Sequence, residues 1–260
     1  MPRFAANLTM MFNEVDFLDR FEAAAKAGFK GVEYLFPYDF AADELKARLD
    51  QFGLTQVLHN LPAGDWGAGE RGIACHPDRV DEFKAGVDKA IAYATALGCT
   101  QVNCLAGIAP EGVDAGTQRK TFVENLKFAA DKLKGAGITL LIEAINTRDI
   151  PGFYLSGTQQ ALDIIAETGS DNIKVQYDIY HMQIMEGDLA PTMEKNLAMI
   201  QHIQLADNPG RFEPGTGEIN YPFLFSFLDK IGYQGWIGCE YKPATTTVEG
   251  LGWADAYLKV

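Results

Sequence analysis

Four apolar runs in the second half of the chain each end on a side chain with an oxygen donor: TLLI at Glu143, IKVQY at Asp178, HI at Gln204 and WIGC at Glu240. The donors lie 35, 26 and 36 residues apart, and each gap holds one strand, one helix and two loops. Consecutive parallel strands that carry a polar tip at the same end bring those tips together above the sheet. The pattern therefore restricts the fold to repeated strand–helix units and marks one point on it as a candidate active site.

The rest of the chain continues the alternation. A strand is expected over residues 3–8, and a helix over 16–27 with Phe17, Phe21 and Ala24 at helical spacing before Gly28. A second strand starts at Gly31, a helix covers 43–52 with Gly53 as its stop, and a third strand starts at Thr55. A long loop runs from His59 to about Pro77, followed by a helix over 78–97 and a strand over 101–105. Further helices fall around 117–134, over 156–167, around 189–197 and over 221–231, with a last short one over 248–258. Eight such units in 260 residues, with no low-complexity linker, predict an α/β fold: one closed (β/α)8 TIM barrel spanning residues 1–260. An open doubly wound sheet would carry a Gly-rich turn after its first strand, where this chain has NLTMMF. The GTG at Gly215–Gly217 is better read as a turn than as a phosphate loop.

Composition narrows the partners. A net charge of -13 argues against a nucleic-acid backbone, which needs clustered Lys and Arg. Four cysteines without C-x-x-C spacing read as reduced thiols, and no run reaches the ~18 apolar residues of a membrane span, so the expectation is a cytoplasmic protein. Aromatic residues in the loops of the last two strands offer a surface for a homo-oligomer.

In barrels of this kind the active site lies at the C-terminal mouth of the strands, where Glu143, Asp178, Gln204 and Glu240 all fall. Hard oxygen donors suit Mg²⁺ or Mn²⁺ better than Zn²⁺. Three crowded carboxylates without a cation would repel, and one would have to hold a proton. Singly, each acid has an alternative as a helix cap or solvated loop-edge residue; it is the set of four that points to a metal. A cation flanked by Glu143 and Glu240 suits proton abstraction beside a carbonyl, one Glu removing a proton and the other returning one. A cation-bound carboxylate is a weaker base, so each Glu needs a free oxygen toward the substrate.

His181, Arg211 and Lys242 fall on loops of the same face, and Arg211 and Lys242 are candidates to clamp a substrate carboxylate. Lys242 could equally pair with nearby acids. His202, inside a strand, reads as a satisfied core histidine, and His59 is a weak candidate. The Gly-rich segment from Asn60 to Arg71, with Trp66 in it, suggests a lid over a small ligand, Arg71 reaching the substrate on closure. An ordinary excursion or an oligomer contact is the alternative.

Six segments carry a resemblance: LHNLPAGDW from Leu58, GERGIA from Gly69, DIPGFYL from Asp149, QYDIYHMQ from Gln176, EPGTGEINY from Glu213 and GWIGCEYKP from Gly235. They resemble the bacterial hydroxypyruvate isomerase family over essentially the whole chain. The resemblance implies a xylose-isomerase-like barrel that interconverts hydroxypyruvate and 2-hydroxy-3-oxopropanoate in glyoxylate metabolism. It also implies a catalytic pair at Glu143 and Glu240 and metal ligands at Glu143, Asp178, Gln204 and Glu240. Sugar 3-epimerases of the superfamily usually have His at the position of Gln204, so that residue argues against an epimerase. A sister group acts on four-carbon 2-oxo-tetronates, although the LHNLPAGDW and YDIYHMQ segments look more like the three-carbon enzyme. Two other classes stay in view. One is a non-enzymatic small-acid binding protein on the same barrel. The other, an endonuclease of the superfamily, needs a His-rich multi-metal site and a basic face, which four His and an acidic chain do not supply.

Overall fold

In the computed structural model, which describes residues 1–258, eight short strands form a closed barrel in sequence order. They are β1 (Arg3–Asn7), β2 (Gly31–Glu33), β3 (Thr55–Asn60), β4 (Gln101–Cys104), β5 (Thr139–Glu143), β6 (Ile173–Asp178), β7 (Ile200–Leu205) and β8 (Trp236–Cys239). Every neighbouring pair is parallel, and β8 closes on β1 with Gly238 opposite Ala5. The expected TIM barrel is the fold.

Helices α1 (Arg20–Lys26), α2 (Ala42–Phe52), α3 (Val80–Leu97), α4 (Ala115–Gly135), α5 (Thr158–Thr168), α6 (Ile179–Met185), α7 (Leu189–Lys195), α8 (Tyr221–Ile231) and α9 (Asp255–Leu258) surround it. Amphipathic spacing sets their faces: Leu45 and Leu49 of α2, four apart, are both buried against the barrel. The stop signals act through backbone geometry. Gly53 and Gly98 close α2 and α3 at φ 62° and 68°, a left-handed conformation that costs a residue with a side chain extra energy.

Several boundaries differ from expectation. Strand β3 runs on to Asn60, so the loop starts later than His59. The first predicted helix divides into a 3-10 turn at Phe17–Asp19 and α1. Helix α6 was not expected: IYHMQIM is short and rich in residues that favour strands, and it follows a strand directly. It forms because Asp178 Oδ1 accepts the backbone N–H groups of Tyr180 at 2.8 Å and His181 at 3.4 Å, capping the first turn.

The main core lies between the helices and the outward side of the strands. Inside the barrel a small apolar cluster of Ala5, Val57, Leu58 and Leu141 fills the lower part, with Trp236 packed beneath. Ala5 and Leu141 lie two residues before Asn7 and Glu143 on the same strand faces, so the interior turns from apolar to polar on approaching the C-terminal mouth. Among the described residues no helix is long and apolar enough to cross a membrane.

Candidate active site

A cavity of about 190 Å³ opens at that mouth. Its floor is polar, with Asn7, Glu33, Glu143, Gln204, Arg211 and Glu240, and its walls are apolar, with Leu35, Trp66, Leu105 and Ile150. The larger cavity of about 490 Å³ at the N-terminal end of the strands contains no acidic residue and stands apart from this chemistry.

The strand ends deliver four titratable side chains to one spot. Glu143, Asp178, His181 and Glu240 are all buried, and each offers a donor atom within 4.8 Å of the others. Asp178 serves two purposes: Oδ1 caps α6, while Oδ2 is buried without a hydrogen-bond partner and faces the cluster. The cap reading and the cluster reading thus hold for different oxygens of one residue. Glu143 Oε2 accepts from Asn103 Nδ2 at 3.0 Å.

His181 turns a ring N–H toward this cluster. Asn146 Oδ1 accepts the backbone N–H of Asp149 at 2.7 Å, which turns its NH₂ group toward His181 Nδ1 at 2.6 Å. The imidazole then accepts at Nδ1 and carries its hydrogen on Nε2, 3.4 Å from Asp178 Oδ2 and 3.9 Å from Glu143 Oε1. Burial, reinforced by Arg211, holds this histidine well below its usual pKa, so it is neutral.

Arg211 reaches the cluster from the loop after β7, donating to Glu240 and lying 3.7 Å from Asp178 Oδ2. Its guanidinium packs 5.2 Å from the Tyr180 ring. One guanidinium faces three carboxylates, an imbalance that appears in their titration. Burial raises Glu143 well above the usual carboxylate range, with Glu240 and Asp178 adding to it. Burial likewise pushes Glu240 up to about 8 against the opposing charge of Arg211, and raises Asp178. A divalent cation would balance the excess charge and give Asp178 Oδ2 a partner, so this buried cluster can hold a metal.

Side-chain direction separates the other expected residues. Gln204 lies in register with Asp178 and lines the cavity, but its Oε1 accepts from Gln176 Nε2 at 2.6 Å and its Nε2 donates to Glu33 at 2.7 Å. Asn60 lines the cavity. Arg71 does not: it stacks over Trp66 at 4.2 Å and donates to the carbonyl oxygens of Trp66 and Glu70 at 3.1 and 2.7 Å. Lys242 is exposed; its contribution is a backbone N–H donated to the Arg211 carbonyl at 2.8 Å, because beyond β8 strand alternation no longer directs side chains. His202 is an interior residue paired through Nε2 with Glu33, its Nδ1 buried without a partner, and His59 packs edge-on against Tyr38 outside the cavity. The N–H groups of Gly215 and Gly217 enclose Asp207 Oδ2 at 2.8 and 2.9 Å, so that turn binds the protein's own carboxylate. Sequence reasoning missed Glu33, Asn103 and Asn146, whose partners lie far along the chain or on an irregular loop.

A closed parallel barrel with buried carboxylates gathered at its C-terminal mouth is the architecture of the xylose isomerase-like TIM barrel family, which matches residues 21–257, and the chain belongs to that family. It is 57% identical over 257 residues to the hydroxypyruvate isomerase of Escherichia coli (strain K12), covering 99% of this chain and 100% of that one. It is 52% identical over 258 residues to a 2-oxo-tetronate isomerase of Cupriavidus necator, covering 99% of each. A crystal structure from Brucella melitensis described as an AP endonuclease, family 2, superposes with a TM-score of 0.97 at 51% identity, covering 99% of each chain. With such relatives, the chain is an enzyme of the isomerase class.

Proposed function

We propose that the chain interconverts hydroxypyruvate and 2-hydroxy-3-oxopropanoate by proton transfer between C3 and C2. The observation that carries this reading is the pair Glu143 and Glu240: two buried carboxyl groups on strands far apart around the barrel, with donor atoms within 4.8 Å and both raised in pKa. A carboxyl raised toward neutrality can both accept and return a proton at working pH. The 57% identical relative named hydroxypyruvate isomerase supports the substrate.

The steps follow from the substrate's structure. One Glu takes a proton from C3, the C–H electrons form the C2–C3 double bond, and the C2 carbonyl electrons move onto O2, giving an enediolate. The other Glu returns a proton to C2, and the hydroxyl proton moves from O3 to O2. His181 Nε2–H, beside Asp178, would stabilise charge on one of these oxygens, and Arg211, beside Glu240, would hold the C1 carboxylate as a bidentate fork. Glu143, Asp178, Glu240 and the carbonyl of Gln204 would hold Mg²⁺ or Mn²⁺, whose chemistry is to polarise the carbonyl and offset negative charge. Trp66 forms part of the cavity wall, and closure of its loop would exclude water.

A substrate panel tests the proposal: metal-stripped protein, reloaded with Mg²⁺ or Mn²⁺, is given hydroxypyruvate and 2-oxo-tetronates. Faster turnover of the three-carbon acid with solvent deuterium entering product is expected. Preference for the four-carbon acid would move the assignment to the reaction named for the 52% identical relative. Binding without turnover would instead describe a small-acid binding protein. The net charge of -13 and a cluster with a single histidine offer nothing to a nucleic-acid substrate.

A further inference from the structure

Beneath the reacting end of the cavity lies another carboxylate, which the proposed chemistry does not use. Glu33 ends β2 and is 1% exposed. Its Oε1 accepts from Asn7 Nδ2 at 3.0 Å and Gln204 Nε2 at 2.7 Å, and its Oε2 lies 2.7 Å from His202 Nε2. Space for it is made by Gly238, where a Cβ would come within 2.3 Å of both Glu33 oxygens. Donors on both oxygens and a glycine facing them mark a position shaped around a carboxylate.

A carboxylate accepts and does not donate, so it sorts the two ends of any amide beside it. Glu33 draws the NH₂ end of Gln204 toward itself. The carbonyl end is left turned away, accepting from Gln176 Nε2 and keeping a second lone pair. Gln204 is the register neighbour of Asp178, so the same sorting decides whether the acidic cluster meets an oxygen lone pair or two N–H groups. Glu33 also orients Asn7, whose Nδ2 lies 3.3 Å from Glu240 Oε1.

We propose that Glu33 is a positioning residue: held by His202 and given room by Gly238, it fixes the amide of Gln204 so that oxygen faces a bound divalent cation, and fixes Asn7 so that a hydrogen faces Glu240. The inference rests on the reading of the cluster as a divalent-cation site. Groups that orient metal ligands in this way typically change affinity by about 10–100-fold when removed.

The test is Mn²⁺ titration of metal-stripped protein, with free Mn²⁺ followed by electron paramagnetic resonance, for the wild type, Glu33→Gln and Glu33→Met. The Met side chain has nearly the same length and no acceptor, and the Gln side chain keeps one acceptor where the native residue has two. The expected result is a Kd raised by about 10–100-fold for Glu33→Met and about tenfold for Glu33→Gln. A Glu33 that only supports the fold would lower the melting temperature and leave the Mn²⁺ Kd within twofold of wild type, which overturns the proposal. If Glu33→Met does not fold, Glu33→Gln decides by the same criterion. A wild type that takes up no Mn²⁺ overturns the divalent-cation reading, and this inference with it, before any variant is compared.

Discussion

Arg211 and Glu240, 29 residues apart, are joined by a hydrogen bond from the guanidinium to the carboxylate at the cavity floor, where Asp178 lies 3.7 Å from the same nitrogen. Arg211 has a positive φ of 60°, so the loop after β7 holds a side-chain-bearing residue in the left-handed region to bring it there. Replacing it with Met removes both the proposed substrate clamp and the cation beside two buried acids. Truncating one partner of a buried, hydrogen-bonded charge pair at a binding site costs about 2–5 kcal/mol, so kcat/KM of Arg211→Met is expected to fall by about 30- to 5000-fold. Arg211→Lys keeps the charge without the fork and should recover part of the loss. Steady-state kinetics on both variants checks this, and a Met variant within tenfold of wild type would remove Arg211 from the substrate site.

Glu143→Gln and Glu240→Gln keep the shape of the pair and remove its ability to carry protons. Each is expected to reduce kcat by about 10²–10⁴, the usual contribution of a positioned acid or base. Hydroxypyruvate affinity, measured by calorimetry, should change much less. Exchange of substrate C3 hydrogen with deuterated water separates the two residues, because the variant lacking the C3 base loses exchange and the other retains it.

Most of the barrel was legible in the sequence because buried parallel strands are short apolar runs with glycine stops after the helices between them. The ends at Glu143, Asp178, Gln204 and Glu240 showed because each interrupts such a run with a polar residue. Glu33 did not show. Its strand is three residues long, and its partners His202 and Gln204 lie 169 and 171 positions away, joined to it by barrel closure. The directions of Arg71 and Lys242 were not legible for a related reason: proximity to a strand end selects the loop, while side-chain direction on it is set by irregular backbone. In the structure Arg71 turns onto Trp66 and Lys242 into solvent.

The Trp66 loop is held by a polar network beside its packing on Phe36. Glu70 accepts from the Asp65 backbone N–H and pairs with Arg79, while Arg71 lies over the Trp66 ring. Trp66→Ala removes part of the cavity wall and is expected to raise KM about tenfold and lower kcat, as a lid that no longer excludes water would. Arg71→Ala removes a stacking contact of about 0.5–1 kcal/mol and two hydrogen bonds to loop carbonyls, none of them reaching into the cavity, so a change of a few-fold in KM is expected. An Arg71→Ala effect as large as that of Trp66→Ala would return Arg71 to direct substrate contact.

The raised carboxyls also make stability depend on pH in a defined direction. An acid whose folded pKa lies above its ordinary 4.5, as Glu240 does at about 8 with Glu143 raised beside it, binds more protons in the folded chain than in the unfolded one. Folding is then favoured at low pH, and this contribution is lost as pH rises from about 4.5 toward 8; the neutral His181, held below its ordinary 6.5, opposes it up to that pH, so the net fall shows between about 6.5 and 8. In metal-free buffer the melting temperature is expected to fall between about pH 6.5 and 8 by several degrees, on the scale of about 2–4 °C per kcal/mol for a domain of this size. Two changes should flatten the slope: Glu240→Gln, which cannot ionise, and saturating Mg²⁺ or Mn²⁺, which neutralises the ionised forms. Scanning calorimetry of wild type and variant at several pH values, with and without the ion, measures it. A wild-type curve that rises toward pH 8 in the absence of metal would mean that the acids are already compensated by Arg211, and that the cluster needs no cation for charge balance.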